Sequence, residues 1–178
     1  MAVSCLSTDF RCYTGTLMTI TFKLTHDEPR LVYLALVYHL GRPGSELDPV
    51  TKQPSARGLR EVKVALGREV AADSAMIEVD EAQSAKLLSA LYGCATELRG
   101  HHLRDGATST VARFTETARD LFPQLQDPEE ALAIAEAMVM LHRRMERALK
   151  RALAPVSAPA NAGGEASSRS DRRWPFRR

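Results

Sequence analysis

Hydrophobic and polar residues alternate in two short segments of this chain, and each segment leads directly into a stretch with helical periodicity. In the first segment, Ile20, Phe22 and Leu24 alternate with polar residues, a pattern that predicts a half-buried strand. Residues 76–79 predict a second strand of the same kind. Because two strands alone make a marginal sheet, we expect helices to cover them or another subunit to complete them. The second alternative predicts a dimer.

The two strand-to-helix segments, residues 18–40 and 73–98, resemble each other at a constant offset of 55 residues. At that offset Leu24-Thr25-His26-Asp27-Glu28 aligns with Val79-Asp80-Glu81-Ala82-Gln83, and Ala35-Leu36 aligns with Ala90-Leu91. Each copy has the pattern of a capping box, in which the Thr or Asp accepts hydrogen bonds from the first turn and the Glu or Gln reaches back. We therefore expect each strand to end where a capped helix begins.

Three more helices are predicted, near residues 55–71, 108–122 and 127–153. The apolar residues of the last one form a heptad seam, which comprises Ala131, Ile134, Met138, Leu141, Met145, Ala148 and Ala152. The seam suits either an antiparallel bundle or a two-chain coiled coil, and its small, mixed residues favour the bundle. Met138, Leu141 and Met145 are the seam residues that would contact a second chain in the coiled-coil alternative.

Together these elements predict a predominantly helical α+β domain over residues 18–153, in which two strand-to-helix copies pack with a C-terminal helical bundle. Residues 1–17 show no sustained period and predict a flexible N-terminal extension, with Met18 as a candidate natural start. From residue 154 the composition shifts to Ala, Pro, Ser and Gly. This shift predicts a disordered linker that leads into a basic aromatic tail ending at residue 178.

The formal net charge of the chain is only +2, but the basic residues are concentrated near the C-terminus. The predicted 127–153 helix ends in Arg143, Arg144, Arg147, Lys150 and Arg151. Cations near a helix C-terminus are expected from the helix dipole, and a neighbouring glutamate gives them a local partner. Because five cations against one acid exceed what the dipole requires, this helix end is also a candidate nucleic-acid interface.

The tail contains the only tryptophan of the chain. Its candidate partner-binding residues are Arg172, Arg173, Trp174, Phe176, Arg177 and Arg178. The two rings suit pockets on a protein partner, with the arginines steering association and pairing with acids. The same residues suit single-stranded nucleic acid, where rings stack on bases, or an anionic lipid surface. A tail that only aids solubility is the fourth alternative.

The sequence contains no motif for catalysis, metal binding or nucleotide binding. Cys5, Cys12 and Cys94 lack the spacing of a disulfide framework or a zinc site. His101 and His102 would point about 100° apart on a helix and so make a poor metal site. No apolar run approaches the roughly 20 residues of a membrane-spanning helix. We therefore expect a cytoplasmic protein without metal, cofactor or catalytic site.

These observations favour a non-enzymatic interaction protein, an adaptor or a small subunit of an assembly. It would self-associate and recruit a protein partner through its tail. The alternative is a nucleic-acid-associated protein in which the basic helix end and the tail act together. An enzyme whose active site is assembled from residues distant in sequence is a third class.

Overall fold

The computed structural model describes residues 19–48, 50–55, 57–101 and 113–154. Its elements are β1 (Ile20–Thr25), α1 (Glu28–Gly41), α2 (Arg60–Gly67), β2 (Ser74–Val79), α3 (Glu81–His101), α4 (Phe114–Leu121), a short 3-10 helix (Pro123–Gln126) and α5 (Pro128–Leu153). The fold is a predominantly helical α+β fold with a two-stranded sheet, as the sequence predicted. The predictions for residues 1–17, 108–112 and 155–178 lie outside the described residues.

The two strands pair antiparallel, with Phe22 opposite Ile77. These residues are counterparts at the offset of 55, so the two copies meet about an approximate two-fold axis. A second pair of counterparts is in contact on the helices, because a Cβ atom on Gly93 of α3 would lie 2.8 Å from Cε1 of Tyr38 in α1. The repeat in the sequence is therefore also a repeat in space, in which α1 packs against α3.

One face of the sheet is buried and the other faces solvent. The buried face consists of Ile20, Phe22, Leu24, Ala75, Ile77 and Val79. On the opposite face Met76 is 71% exposed. Burial stabilises the inner face by about 25 cal/mol per Å² of apolar surface removed from water, which a two-stranded ladder requires because it is marginal alone.

The two strand-to-helix connections begin their helices differently. In the second copy the capping box forms in both directions, because Gln83 N–H donates to Asp80 Oδ1 at 2.8 Å and Asp80 N–H donates to Gln83 Oε1 at 3.0 Å. In the first copy only the return half forms: Thr25 N–H donates to Glu28 Oε2 at 2.8 Å, and the Thr25 hydroxyl donates to the same oxygen. His26 explains the difference, since its left-handed backbone (φ 56°) delays the start of α1 to Glu28.

Helix α1 lies at the centre of the core and packs against α2, α3, α4 and α5. Its buried apolar residues are Leu31, Val32, Leu34, Ala35, Leu36 and Val37. These positions surround most of the helix, as expected for a helix with neighbours on several sides. Among the described residues, all of these except Val37 belong to one apolar cluster, which extends over both strands and the five α-helices.

The helix predicted over residues 55–71 is shorter in the structure, where α2 spans Arg60–Gly67. The carboxylate of Glu46 accepts a hydrogen bond from Leu59 N–H at 2.8 Å and holds the preceding chain outside the helix. At the other end, Glu69 N–H donates to the Leu66 carbonyl at 2.9 Å in a tight turn. Helix α5 begins as predicted, with Asp127 as its N-cap.

Substituting Gly93 by alanine tests the contact between α1 and α3. In an ordinary helix interior this change is stabilising by about 1 kcal/mol. Here the new Cβ would overlap the ring of Tyr38, which packs edge-on against Phe114 with centroids 5.7 Å apart. We expect Gly93→Ala to lower the free energy of unfolding in urea by about 1–2 kcal/mol. In a Tyr38→Ala background the same change should be stabilising, and stabilisation in the wild-type background would contradict the contact.

Candidate functional site

A backbone hydrogen bond at the end of the sheet shows which groups of each strand point away from its partner. The N–H of His26 donates to the carbonyl of Asp73 at 2.8 Å, one step beyond the last pair of the register. Hydrogen-bonded and non-hydrogen-bonded pairs alternate along an antiparallel ladder. The non-hydrogen-bonded pairs are therefore Thr25–Ser74, Lys23–Met76 and Thr21–Glu78. The backbone N–H and C=O groups of these residues point to the outer edges of the sheet.

The outer edge of β1 is closed by side chains from α1 and α5. Glu28 Oε2 accepts from Thr25 N–H at 2.8 Å. Arg144 Nη2 donates to the Lys23 carbonyl at 3.2 Å and to Glu28 Oε2 at 2.7 Å. The Arg144 and Glu28 side chains, 43% and 22% exposed, thus occupy backbone groups that an additional strand would need.

The outer edge of β2 pairs with no other strand in the described part of the chain, and it lines a groove. The groove lies between β2 and α2 and has a volume of about 670 Å³. Ser74, Met76 and Glu78 lie along it, so their outward backbone groups face it. Among the described residues, no backbone hydrogen bond connects these groups to α2. An open strand edge of this kind is a template on which another strand can pair.

The charged side chains that line the groove are all acidic. Glu61 and Glu69 lie on α2 and in the turn after it, Glu78 lies on β2, and all three are exposed. None of them forms an ion pair with another described residue. Val62 and Ala65 add apolar lining between the carboxylates. The groove therefore combines backbone hydrogen-bonding groups, negative charge and apolar surface.

No pattern in the sequence predicts this groove. Whether a strand edge is open depends on what packs beside it in three dimensions, and no local pattern distinguishes β2 from β1 in this respect. The one signal is that Glu61, Ala65 and Glu69 recur at intervals of four residues, a spacing that predicts a shared helix face, although Glu69 lies in the turn after α2 in the structure. That spacing does not indicate what lies against the face.

The predicted helix seam lies inside the fold. Met138, Leu141 and Met145 are 0%, 3% and 1% exposed and belong to the apolar core, where α5 packs on α3. Their contacts are therefore with the chain itself. A second chain could reach them only if α5 left the core.

The basic end of α5 contains cations in different environments, one of which closes the β1 edge as described above. Arg143, Arg147 and Arg151 are exposed and lie four residues apart; we call them the arginine stripe. Arg147 Nε donates to the Arg143 carbonyl at 3.2 Å, and Arg151 Nε donates to the Arg147 carbonyl at 3.3 Å. Lys150 pairs with Glu146 at 2.7 Å, and its hydrogen bond lowers the pKa of that carboxyl. The stripe is about 12 Å long.

The predicted tail residues Arg172, Arg173, Trp174, Phe176, Arg177 and Arg178 lie outside the described residues. Their role as a binding element stays a prediction. The structure does place the point from which this part of the chain departs, since α5 ends at Leu153.

Two buried side chains of reactive types, Cys94 and His39, have structural roles. Burial raises the pKa of the Cys94 thiol well above its ordinary value, so the thiol stays protonated and is a poor nucleophile. His39 Nε2 lies 2.9 Å from Glu46 Oε1, and Glu46 Oε2 accepts from Leu59 N–H at 2.8 Å. This pair connects the end of α1 to the start of α2, and both carboxylate oxygens already bond to the protein.

Removing Arg144 tests the closed edge of β1. Arg144→Ala uncovers the Lys23 carbonyl and leaves the Glu28 carboxylate without its cation. We expect the free energy of unfolding in urea to fall by about 1–2 kcal/mol, a value that allows for solvent screening of a partly exposed pair. Arg143→Ala removes an exposed arginine from the same helical turn and should change stability by less than about 0.5 kcal/mol. Equal effects of the two substitutions would contradict the edge-closing role.

Comparisons of the chain with protein families, with curated proteins and with solved structures find no match. Within the part of the chain that the structure describes, no three His, Cys, Asp or Glu side chains are grouped so that they could hold a metal ion. No helix in that part has both the length and the apolar character needed to cross a membrane. The groove and the arginine stripe are therefore the candidate functional surfaces of the described residues.

Proposed function

We propose that the chain is a non-enzymatic, cytoplasmic interaction protein, an adaptor or a small subunit of an assembly, that binds an extended protein segment in the groove between α2 and β2. The observation that carries the proposal is the outer edge of β2, where the backbone groups of Ser74, Met76 and Glu78 face the groove. In strand addition, main-chain hydrogen bonds supply affinity and the surrounding side chains supply specificity.

The negative charge of the groove indicates which kind of segment would bind there. Glu61, Glu69 and Glu78 favour a segment with arginine or lysine side chains, and complementary charge accelerates association as well as selecting partners. The basic aromatic tail is a second binding element of the proposal, because its rings and arginines suit recognition by a protein partner.

Self-association would have to use the sheet edge, because the helix seam is buried in the core. Two β2 edges that paired with each other would bring like carboxylates together, which is unfavourable. We therefore propose a basic segment, and not a second β2 edge, as the occupant of the groove.

Selection of short random peptides displayed on phage, with the full-length protein as bait, tests the proposal. We expect the enriched peptides to be rich in Arg, Lys, aromatic and β-branched residues, because these suit an acidic groove and an extended conformation. Fluorescein-labelled versions should bind in anisotropy titrations and should weaken as salt is added, since added salt screens the carboxylates.

A proline variant tests whether the selected peptides bind at the edge of β2. Met76→Pro removes an outward N–H without removing a ladder hydrogen bond, which is the position where an edge strand tolerates proline. We expect it to weaken peptide binding about tenfold, equivalent to roughly 1.4 kcal/mol. Met76→Thr keeps the N–H and should bind nearly as wild type. Equal binding by wild type and the proline variant, or no enriched peptides at all, would contradict the proposal.

A nucleic-acid-associated role is the second candidate, and the arginine stripe is the observation that favours it. Arg147 and Arg151 hold their Nε atoms on backbone carbonyls of α5, which orients a row of guanidinium groups on an exposed helix face. Guanidinium groups bind phosphates through paired hydrogen bonds. The tail would add stacking rings to the same interface.

Salt titration of a fluorescein-labelled single-stranded oligonucleotide tests this second candidate. Replacing Arg143, Arg147 and Arg151 together by Gln should make the slope of log K against log salt less negative by about 2, because each phosphate contact contributes about −0.7. The matched control replaces three exposed arginines elsewhere, Arg60, Arg68 and Arg119, and loses the same charge. If both triple variants change the slope equally, the arginine stripe is not a nucleic-acid interface.

A further inference from the structure

We infer that the groove between α2 and β2 is the docking site of the chain's own C-terminal tail, residues 169–178. The inference rests on the proposed function, because it assigns an occupant to the same groove. It also places the two binding elements of the proposal in competition: the tail fills the groove until a partner segment displaces it.

Charge favours the tail over the other candidate occupants. The charged residues lining the groove are Glu61, Glu69 and Glu78, whereas residues 169–178 contain five arginines and one acidic residue, Asp171. A second β2 edge would bring the same carboxylates against each other, and nucleic acid would bring phosphates. The tail therefore carries a net charge opposite to that of the groove.

The order of residues in the tail fits an antiparallel strand added to β2. If Trp174 lies opposite Met76, then Arg172 lies opposite Glu78 and Phe176 lies opposite Ser74. Directly opposite residues share a face of the sheet, so this register pairs an arginine with a carboxylate. It also covers the side chain of Met76, which is 71% exposed, with an aromatic ring.

The intervening residues fit the same register. Arg173, Pro175 and Arg177 alternate with the residues that pair with β2, so their backbone groups point away from it. Pro175 has no N–H to donate, and an edge strand tolerates proline at such a position. The two arginines lie on the other face of the added strand, which places their charges toward the α2 side of the groove, where Glu61 and Glu69 lie.

The chain is long enough to bring the tail to the groove. Arg144 bonds to the carbonyl of Lys23 on the outer edge of β1, and Lys23 is one strand spacing, about 5 Å, from Met76 at the groove. Leu153 ends α5 nine residues later, about 14 Å away along the helix. The roughly 15 residues from Ala154 to Ser168 would span about 20 Å as a random coil and about 50 Å when extended.

Tethering lowers the affinity that docking requires. A short flexible linker gives an effective concentration of about 1 mM. A tail that binds with an intrinsic Kd of about 0.1 mM would therefore fill the groove of its own chain about nine-tenths of the time. A weak strand addition with a few ion pairs is sufficient for this occupancy.

Trp174 provides a direct measurement in the full-length protein, because it is the only tryptophan of the chain. We expect wild type and Met76→Thr to protect Trp174 from acrylamide quenching relative to a synthetic peptide of residues 169–178. In Met76→Pro a tenfold loss of affinity should raise the undocked fraction from about one-tenth to about one-half, a roughly fivefold change. Replacing Glu61, Glu69 and Glu78 by Gln should also release the tryptophan.

Two quenching results would overturn the inference: equal quenching of wild type and the free peptide, or equal quenching of wild type and Met76→Pro. Loss of protection on about a hundredfold dilution would also overturn it, because it would place the tail on a second copy of the chain. Adding a phage-selected groove peptide separates this inference from the proposed function. If that peptide binds the open edge but Trp174 was never protected, only the tail assignment fails. If Trp174 is protected and released by Met76→Pro while no foreign peptide binds, only partner recruitment fails.

Discussion

The pairing of β1 with β2 is the interaction on which the other features of this fold depend. Two strands are marginal in water, so the pair persists only because six side chains on its inner face are buried by helices. The register, centred on Phe22 and Ile77, also brings the two strand-to-helix copies together and packs α1 on α3. A sheet of two strands has two outer edges, and the protein treats them differently.

One edge is closed by an ion pair and the other is left with negative charge beside it. Arg144 and Glu28 occupy backbone groups of β1 and connect α5 to the sheet. Beside β2, the exposed carboxylates of Glu61, Glu69 and Glu78 discourage pairing between identical chains, a common way in which proteins protect a strand edge from aggregation. Under the proposed function the same carboxylates would attract a basic strand, so protection against self-pairing and selection of a partner would have one physical cause.

Local patterns in the sequence predict the strands and helices but do not predict how these elements pack against each other. Alternation identified both strands, and the Asp80 box formed as predicted because its bonds join residues three apart. The capping box that begins at Thr25 formed only in part, because the backbone N–H of His26 donates to the carbonyl of Asp73, a residue distant in sequence. Likewise, nothing local separates Arg144 from its four basic neighbours in α5. Its position opposite Glu28 is a property of the packed structure, as is the groove.

A tethered occupant would change what the groove selects. With nine-tenths of the sites filled by the tail, the apparent affinity of any free segment falls about tenfold. An isolated basic peptide then competes poorly, whereas a partner that also binds the released rings of Trp174 and Phe176 recovers that loss through the second contact. Occupancy of the groove and exposure of the tail become a single equilibrium between two states. Selectivity under this arrangement comes from the need to engage both elements, which a groove of about 670 Å³ with three carboxylates does not provide by itself.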